Sequence, residues 1–82
     1  MARRGVPIDR QHDLAVQAAR RMIARGERPM YRLQSVQDGR WAVDGLPGVS
    51  VAAASRRAVL DTMRAAIAET LDVPADTFDL GT

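Results

Sequence analysis

The dipeptide Asp38-Gly39, with an alternating segment on each side, constrains the fold of this chain more than any other feature. A two-residue hairpin turn of type I′ needs positive φ at both central positions, and Asp-Gly is one of the pairs that tolerate this best. Residues 30–37 and 40–44 alternate between apolar and polar side chains. The pattern therefore predicts two antiparallel strands joined by a tight turn.

The length of this turn also predicts the register of the two strands. A two-residue turn pairs Gln37 with Arg40 and, one step further, Val36 with Trp41. The register divides the apolar side chains between two faces, with Val36, Trp41 and Val43 on one and Tyr31, Leu33 and Ala42 on the other. Because both faces are then apolar, both are expected to need cover.

Helices are predicted on either side of this hairpin. The first spans residues 9–25, with Asp9 as its N-cap and Gly26 at the position after its end. Its apolar stripe is rich in Ala, so it is expected to pack weakly or to pack against a partner. The second spans residues 56–71, with Ser55 as its N-cap. Two further strands are predicted at residues 49–53 and 77–80. The order α-β-β-β-α-β predicts an α+β protein with an antiparallel sheet.

The charge is distributed unevenly along the 82 residues. All 12 basic residues are Arg, and the formal net charge is +2. Residues 1–32 hold eight Arg and three acids, whereas residues 33–82 hold four Arg and seven acids. This asymmetry divides the chain into a basic tail with an amphipathic helix (1–29) and an α+β module (30–82). The basic region is a candidate for contact with DNA or an acidic partner through Arg3, Arg4, Arg20, Arg21 and Arg25. It is equally compatible with a solvated helix, or with attraction between the two parts.

No catalytic constellation is visible in the sequence. His12 is the only His, its acidic neighbours are more simply helix-capping residues, and Cys is absent. We therefore expect no enzyme activity, no metal and no cofactor. No apolar stretch is long enough to span a membrane, and the N-terminus does not resemble a signal peptide, so a cytoplasmic protein without membrane contact is expected.

Residues 31–80 resemble the HicB family of antitoxins. The likeness is carried by Tyr31, by the hairpin from Asp38 to Val43, by the turn Leu46-Pro47-Gly48, and by the second helix with its tail from Leu71 to Leu80. Members of that family show the same order: an aromatic strand, a Gly turn followed by an aromatic residue, a Leu-Pro-Gly turn, and an amphipathic helix ending in a Leu-Asp-Val-Pro tail.

The resemblance implies a partial RNase H-like β-β-β-α-β module without nuclease activity. It also implies a partner, a small HicA-type toxin that cleaves mRNA and is neutralised by binding. We expect Tyr31, Trp41 and Leu46 to contact this toxin. The chain departs from the family at Ser55-Arg56-Arg57, which keeps the helix cap but lacks the usual Glu.

Two alternatives to the antitoxin function remain at this point. One is a small DNA-binding transcriptional regulator that uses the basic N-terminal region. The family often represses its own promoter through an additional C-terminal domain, and none is expected here after Leu80. The other is a stand-alone oligomerisation module. In each case the thin, Ala-rich core favours a homodimer or higher oligomer, which would bury more apolar area.

Overall fold

A computed structural model describes residues 8–81 of the chain, the first two of them through the backbone alone. The α+β class and the predicted order of elements are confirmed. The elements are α1 (Ile8–Ala24), β1 (Met30–Ser35), β2 (Arg40–Asp44), β3 (Ser50–Ala52), α2 (Arg56–Leu71) and β4 (Asp79–Gly81). Neither helix has the length and apolar character needed to cross a membrane, within the residues described.

Local capping signals explain where α2 begins and where both helices end. The Ser55 hydroxyl accepts a hydrogen bond from the Ala58 backbone N–H at 3.1 Å, as predicted for an N-cap. Gly26 has a φ of +83°, and it ends α1 in the left-handed conformation that Gly adopts without strain. Asp72 ends α2 in the same conformation, with a φ of 57°. The predicted N-cap Asp9 is wrong, because α1 already includes Ile8.

The turn between β1 and β2 has the predicted conformation, since Asp38 and Gly39 have φ values of 52° and 74°. The predicted register is nevertheless wrong by one residue. Ser35, and not Val36, pairs with Trp41. The shift limits β1 to six residues, ending at Ser35.

A β-bulge beside the turn causes this shift. The Arg40 N–H donates to the Gln37 carbonyl at 2.9 Å, while the Arg40 carbonyl accepts from the Val36 N–H at 3.0 Å. Two residues of the first strand therefore face one residue of the second, and the alternation reverses beyond that point. The bulge brings the apolar residues of both strands to one face, where they can be buried together.

The sheet consequently has one apolar face and one solvated face. Tyr31, Leu33 and Val43 are buried on the apolar face, and Trp41 is half-buried there. The opposite face presents exposed side chains such as Met30 and Arg32. The expectation that both faces need cover is therefore wrong. A sheet that contains antiparallel strands can leave one face in water.

The four strands lie in the order β3-β2-β1-β4. β2 is antiparallel to both of its neighbours, but β4 is parallel to β1. The sheet is thus mixed, and the predicted antiparallel sheet is corrected in this respect. The reason is the length of α2, which carries the chain back along the sheet so that β4 enters in the direction of β1.

Both helices contribute to one core on the apolar face of the sheet. The fully buried side chains of α2 are Val59, Met63, Ile67 and Leu71. α1 adds Ala19 and lies at the end of the core formed by the β2–β3 turn and the end of α2. Two long-range hydrogen bonds hold it there: His12 Nδ1 donates to the Pro47 carbonyl at 2.7 Å, and Arg20 donates to the Leu71 carbonyl at 3.3 Å.

Two arginines attach the C-terminal strand to this core. Arg28 donates to the Asp76 carbonyl at 2.7 Å and forms an ion pair with Asp79 at 3.0 Å. Arg64 donates to the Ala75 carbonyl at 2.8 Å, and its guanidinium lies 5.4 Å from the ring centroid of Phe78. These contacts give several of the chain's Arg residues a structural role.

Candidate functional site

Trp41 is the predicted contact residue that the fold leaves partly accessible. Its side chain is half-buried at the end of the sheet nearest the hairpin turn, where it lies between Ser35 and Val51 on the neighbouring strands. The Arg56 guanidinium lies 5.9 Å from the Trp41 ring centroid, within the range of a cation–π interaction. A rigid aromatic side chain held in this way can serve as an anchor for a partner.

Tyr31 and Leu46 occupy the core instead of the surface. Tyr31 is 4% exposed and Leu46 is 0% exposed. The Tyr31 ring meets Phe78 edge-on, with 6.1 Å between ring centroids, and burial raises the pKa of the Tyr31 hydroxyl. The prediction that these two residues contact a partner is corrected, because their side chains are used within the chain.

Two of the predicted basic residues are hydrogen-bonded within the chain in the part that the structure describes. Arg3 and Arg4 lie outside the described residues. Arg20 is hydrogen-bonded to the end of α2. Arg25 forms a two-pronged ion pair with Glu27, at 3.0 and 3.1 Å, which lowers the pKa of the Glu27 carboxyl and raises the pKa of Arg25. Arg21 remains exposed, with no polar partner among the described residues.

An apolar groove between α1 and the sheet was not predicted from the sequence. It has a volume of about 270 Å³ and opens to solvent. Its lining is Ala15, Ala18, Ala19, Met22, Pro29, Met30, Tyr31 and Gly45. The Ala-rich stripe of α1 was the available signal, because small side chains fill little of the space between a helix and a sheet. Only the position of α1 against the start of β1 makes that space a groove.

Apart from Met30, the large side chains on the solvated face of the sheet are polar. Arg32 and Asp44 are paired positions on β1 and β2, and Arg40 donates to the Ser50 hydroxyl at 2.7 Å. Arg40 and Ser50 are hydrogen-bonded to one another, whereas Arg32 and Asp44 are exposed to solvent, as is usual for such a sheet face. The face therefore carries no feature that selects a particular ligand.

No group of three or more His, Asp or Glu side chains is arranged to hold a metal ion in the part of the chain that the structure describes. His12 is occupied by its hydrogen bond to the β2–β3 turn, and a Cβ on Gly48 would lie 3.3 Å from its Nδ1 atom. The role of His12 visible in the structure is thus to hold α1 against this turn.

Comparison of the chain with protein-family models, with curated proteins and with solved structures finds no match. On the described residues, two surfaces combine accessibility with apolar character. One is the end of the sheet around Trp41, and the other is the groove beside α1.

Proposed function

We propose that this protein is a non-enzymatic, cytoplasmic antitoxin-like protein that binds and neutralises a small HicA-type toxin that cleaves mRNA. The observation that carries the proposal is the match between the HicB-like motifs and the elements they occupy. Asp38-Gly39 forms the first hairpin turn, Leu46-Pro47-Gly48 connects β2 to β3, and the Leu71-to-Leu80 tail ends α2 and leads into β4.

These motifs are turn and helix-cap signals, so the test of the resemblance is whether each one lies at a turn or at a helix end in the structure. Gly48 has a φ of +90° in the β2–β3 turn, and Asp72 is left-handed at the end of α2. Each motif therefore forms a turn or ends a helix at a point where a β-β-β-α-β module needs one. The parallel pairing of β4 with β1 closes that module, and the RNase H-like relationship is part of the proposal.

Trp41 is the contact residue that we retain for the toxin interface. Trp is enriched among the residues that dominate binding energy at protein interfaces. As the only Trp of the chain, it also provides a spectroscopic probe that needs no mutation.

Co-expression with the product of the adjacent reading frame tests the proposal. The expected result is a complex stable in size-exclusion chromatography and rescue of growth from that product. Incorporation of 5-fluorotryptophan gives one fluorine signal, which should shift on complex formation. The variant Trp41→Ala should weaken the complex, whereas Val36→Ala, at an exposed residue of the same hairpin, should not. A harmless neighbour that forms no complex would exclude the antitoxin function.

A DNA-binding regulator is the second candidate, favoured by Arg10 and Arg21 on the exposed side of α1. Its affinity for promoter DNA would fall by about 0.9 log units per phosphate contact for each decade of salt. Replacing Arg21 by Ala would reduce that slope, whereas a toxin complex would be unaffected. An oligomerisation module without either partner would show self-association alone in the same experiments.

A further inference from the structure

The groove beside α1 is large enough for one bulky side chain. The groove has a volume of about 270 Å³ and is open to solvent. Its floor includes Tyr31, and Ala residues of α1 form one wall. Because these Ala side chains leave the space unfilled, no residue of the described chain takes the place of a large apolar side chain there.

The apolar surface continues beyond the groove along α1. Ala18 and Met22 line the groove, and Leu14 lies one helical turn before them on the same line. Leu14 is 46% exposed and Met30 is 64% exposed. Of the three large apolar side chains exposed in the described part of the chain, Met30 lines the groove and Leu14 lies one helical turn from the lining residue Ala18.

α1 carries basic residues next to its apolar line. Arg10 precedes Leu14 by four residues, and Arg21 follows Ala18 by three, so both adjoin the apolar line on the helix surface. Both are exposed, and neither forms an ion pair among residues 8–81. On the sheet side, the paired positions Arg32 and Asp44 hold one basic and one acidic residue, which add no net charge. Among residues 10–24, Asp13 is the only acid against Arg10, Arg20 and Arg21, so the exposed surface of α1 has a net positive charge.

We propose that this groove binds an acidic protein segment that inserts a large apolar side chain between α1 and the start of β1. The apolar lining selects the inserted side chain, and Arg10 and Arg21 attract the acidic residues around it. This inference does not depend on the toxin-binding proposal. An mRNA-binding toxin is expected to be basic, and these two arginines would repel it.

Charge also argues against a second copy of the chain as the occupant. A copy that docked through its own α1 would bring its basic residues against Arg10 and Arg21. The exposed residues of α2 carry as many basic as acidic side chains and include no large apolar side chain to insert: Arg56, Arg57, Ala58, Asp61, Thr62, Ala65 and Glu69. Neither helix of a second copy therefore combines the two required properties.

A titration of the ¹⁵N-labelled full chain, followed by NMR, tests the proposal. The probe is a synthetic amphipathic peptide whose apolar face is leucine and whose polar face is glutamate. Two control peptides carry lysine for glutamate or alanine for leucine. The leucine–glutamate peptide should bind and shift the amide signals of Ala18, Met22 and Met30, and both control peptides should bind at least about tenfold more weakly.

Matched variants separate the groove from general effects. Ala18→Leu fills the groove and should weaken binding about tenfold to a hundredfold, whereas Ala24→Leu, on an exposed position of the same helix, should leave binding unchanged. Arg21→Glu should weaken binding about threefold to tenfold at low salt, and Arg57→Glu, with the same change in net charge on α2, should not. Melting temperatures confirm that each variant is folded.

Three outcomes would overturn the proposal. The first is equal binding of the glutamate and lysine peptides, which would show that Arg10 and Arg21 do not select an acidic segment. The second is the absence of any shift up to the solubility limit of the peptides. The third is concentration-dependent self-association that shifts the same amides without peptide and is abolished by Val36→Ala, which would make the hairpin of a second copy the occupant.

Discussion

Replacing Leu46 by Ala distinguishes a core residue from an interface residue. Leu46 is 0% exposed in the turn after β2. Removing three methylene equivalents costs about 2.4 kcal/mol of transfer free energy. The remaining cavity brings Leu-to-Ala changes in cores to about 2.7–5 kcal/mol, and a turn can collapse partly, so we expect about 3 kcal/mol. A chain of 82 residues has a total stability of about 4–12 kcal/mol, so the loss is large.

Urea denaturation followed by Trp41 fluorescence measures this loss. With a slope of about 1–1.5 kcal/mol per molar urea for a small protein, the midpoint should fall by about 2–3 M. The matched control is Leu14→Ala, the same change at a residue that is 46% exposed, for which we expect less than about 1 kcal/mol. Equal, small losses for both variants with an unchanged slope would refute the assignment of Leu46 to the core.

Three further changes test the end of α2 and the contacts that hold β4 and α1 to the rest of the fold. Asp72→Gly should raise the melting temperature by a few degrees, because Gly relieves about 1 kcal/mol of left-handed strain, partly offset by its greater freedom when unfolded; a lower temperature would contradict this. Asp79→Asn removes a carboxyl whose pKa the hydrogen bond and charge of Arg28 hold below its usual value. Its stabilising effect is present above about pH 4 and is lost as the pH falls through the folded-state pKa, so the difference in melting temperature between wild type and variant should shrink below about pH 4; a constant difference would argue against it. His12→Ala removes the hydrogen bond to the Pro47 carbonyl and should cost about 0.5–1.5 kcal/mol, with faster hydrogen exchange in α1; unchanged exchange would exclude this role.

The elements that short-range signals define were predicted well. The bounds of α2 agree with its Ser55 cap, and the Asp38-Gly39 turn has the expected conformation. The end of α1 lies where Gly26 permits the left-handed conformation. Each of these features depends on residues within a few positions of one another, so the local sequence is sufficient to predict it.

The register of the hairpin could not be predicted in the same way. The turn alone favours pairing Val36 with Trp41, which would divide the apolar residues between two faces. The bulge at Val36 and Gln37 interrupts the regular hydrogen-bonded ladder, but it places Trp41 and Val43 on the same face as Leu33. Burial against both helices decides between these alternatives, and the helices are far away in the sequence.

The candidate site was predicted only in part. Of the three expected contact residues, Trp41 is partly accessible, whereas Tyr31 and Leu46 are buried. The sequence pattern of an alternating strand is the same whether its apolar face is buried under a helix or exposed to solvent. The groove beside α1 was not predicted for a related reason. Its two walls are far apart in the sequence, and only the tertiary structure places α1 beside the start of β1.

The sequence by itself thus determined the turns, the helix caps, the order of elements and the division of charge. These properties arise from backbone preferences and local hydrogen bonds, which act over a few residues. The tertiary structure alone decided the strand register, the parallel pairing of β4 with β1, and the exposure of each apolar side chain. Those properties follow from burying apolar area against elements distant in the chain, and that free energy is shared by the whole fold.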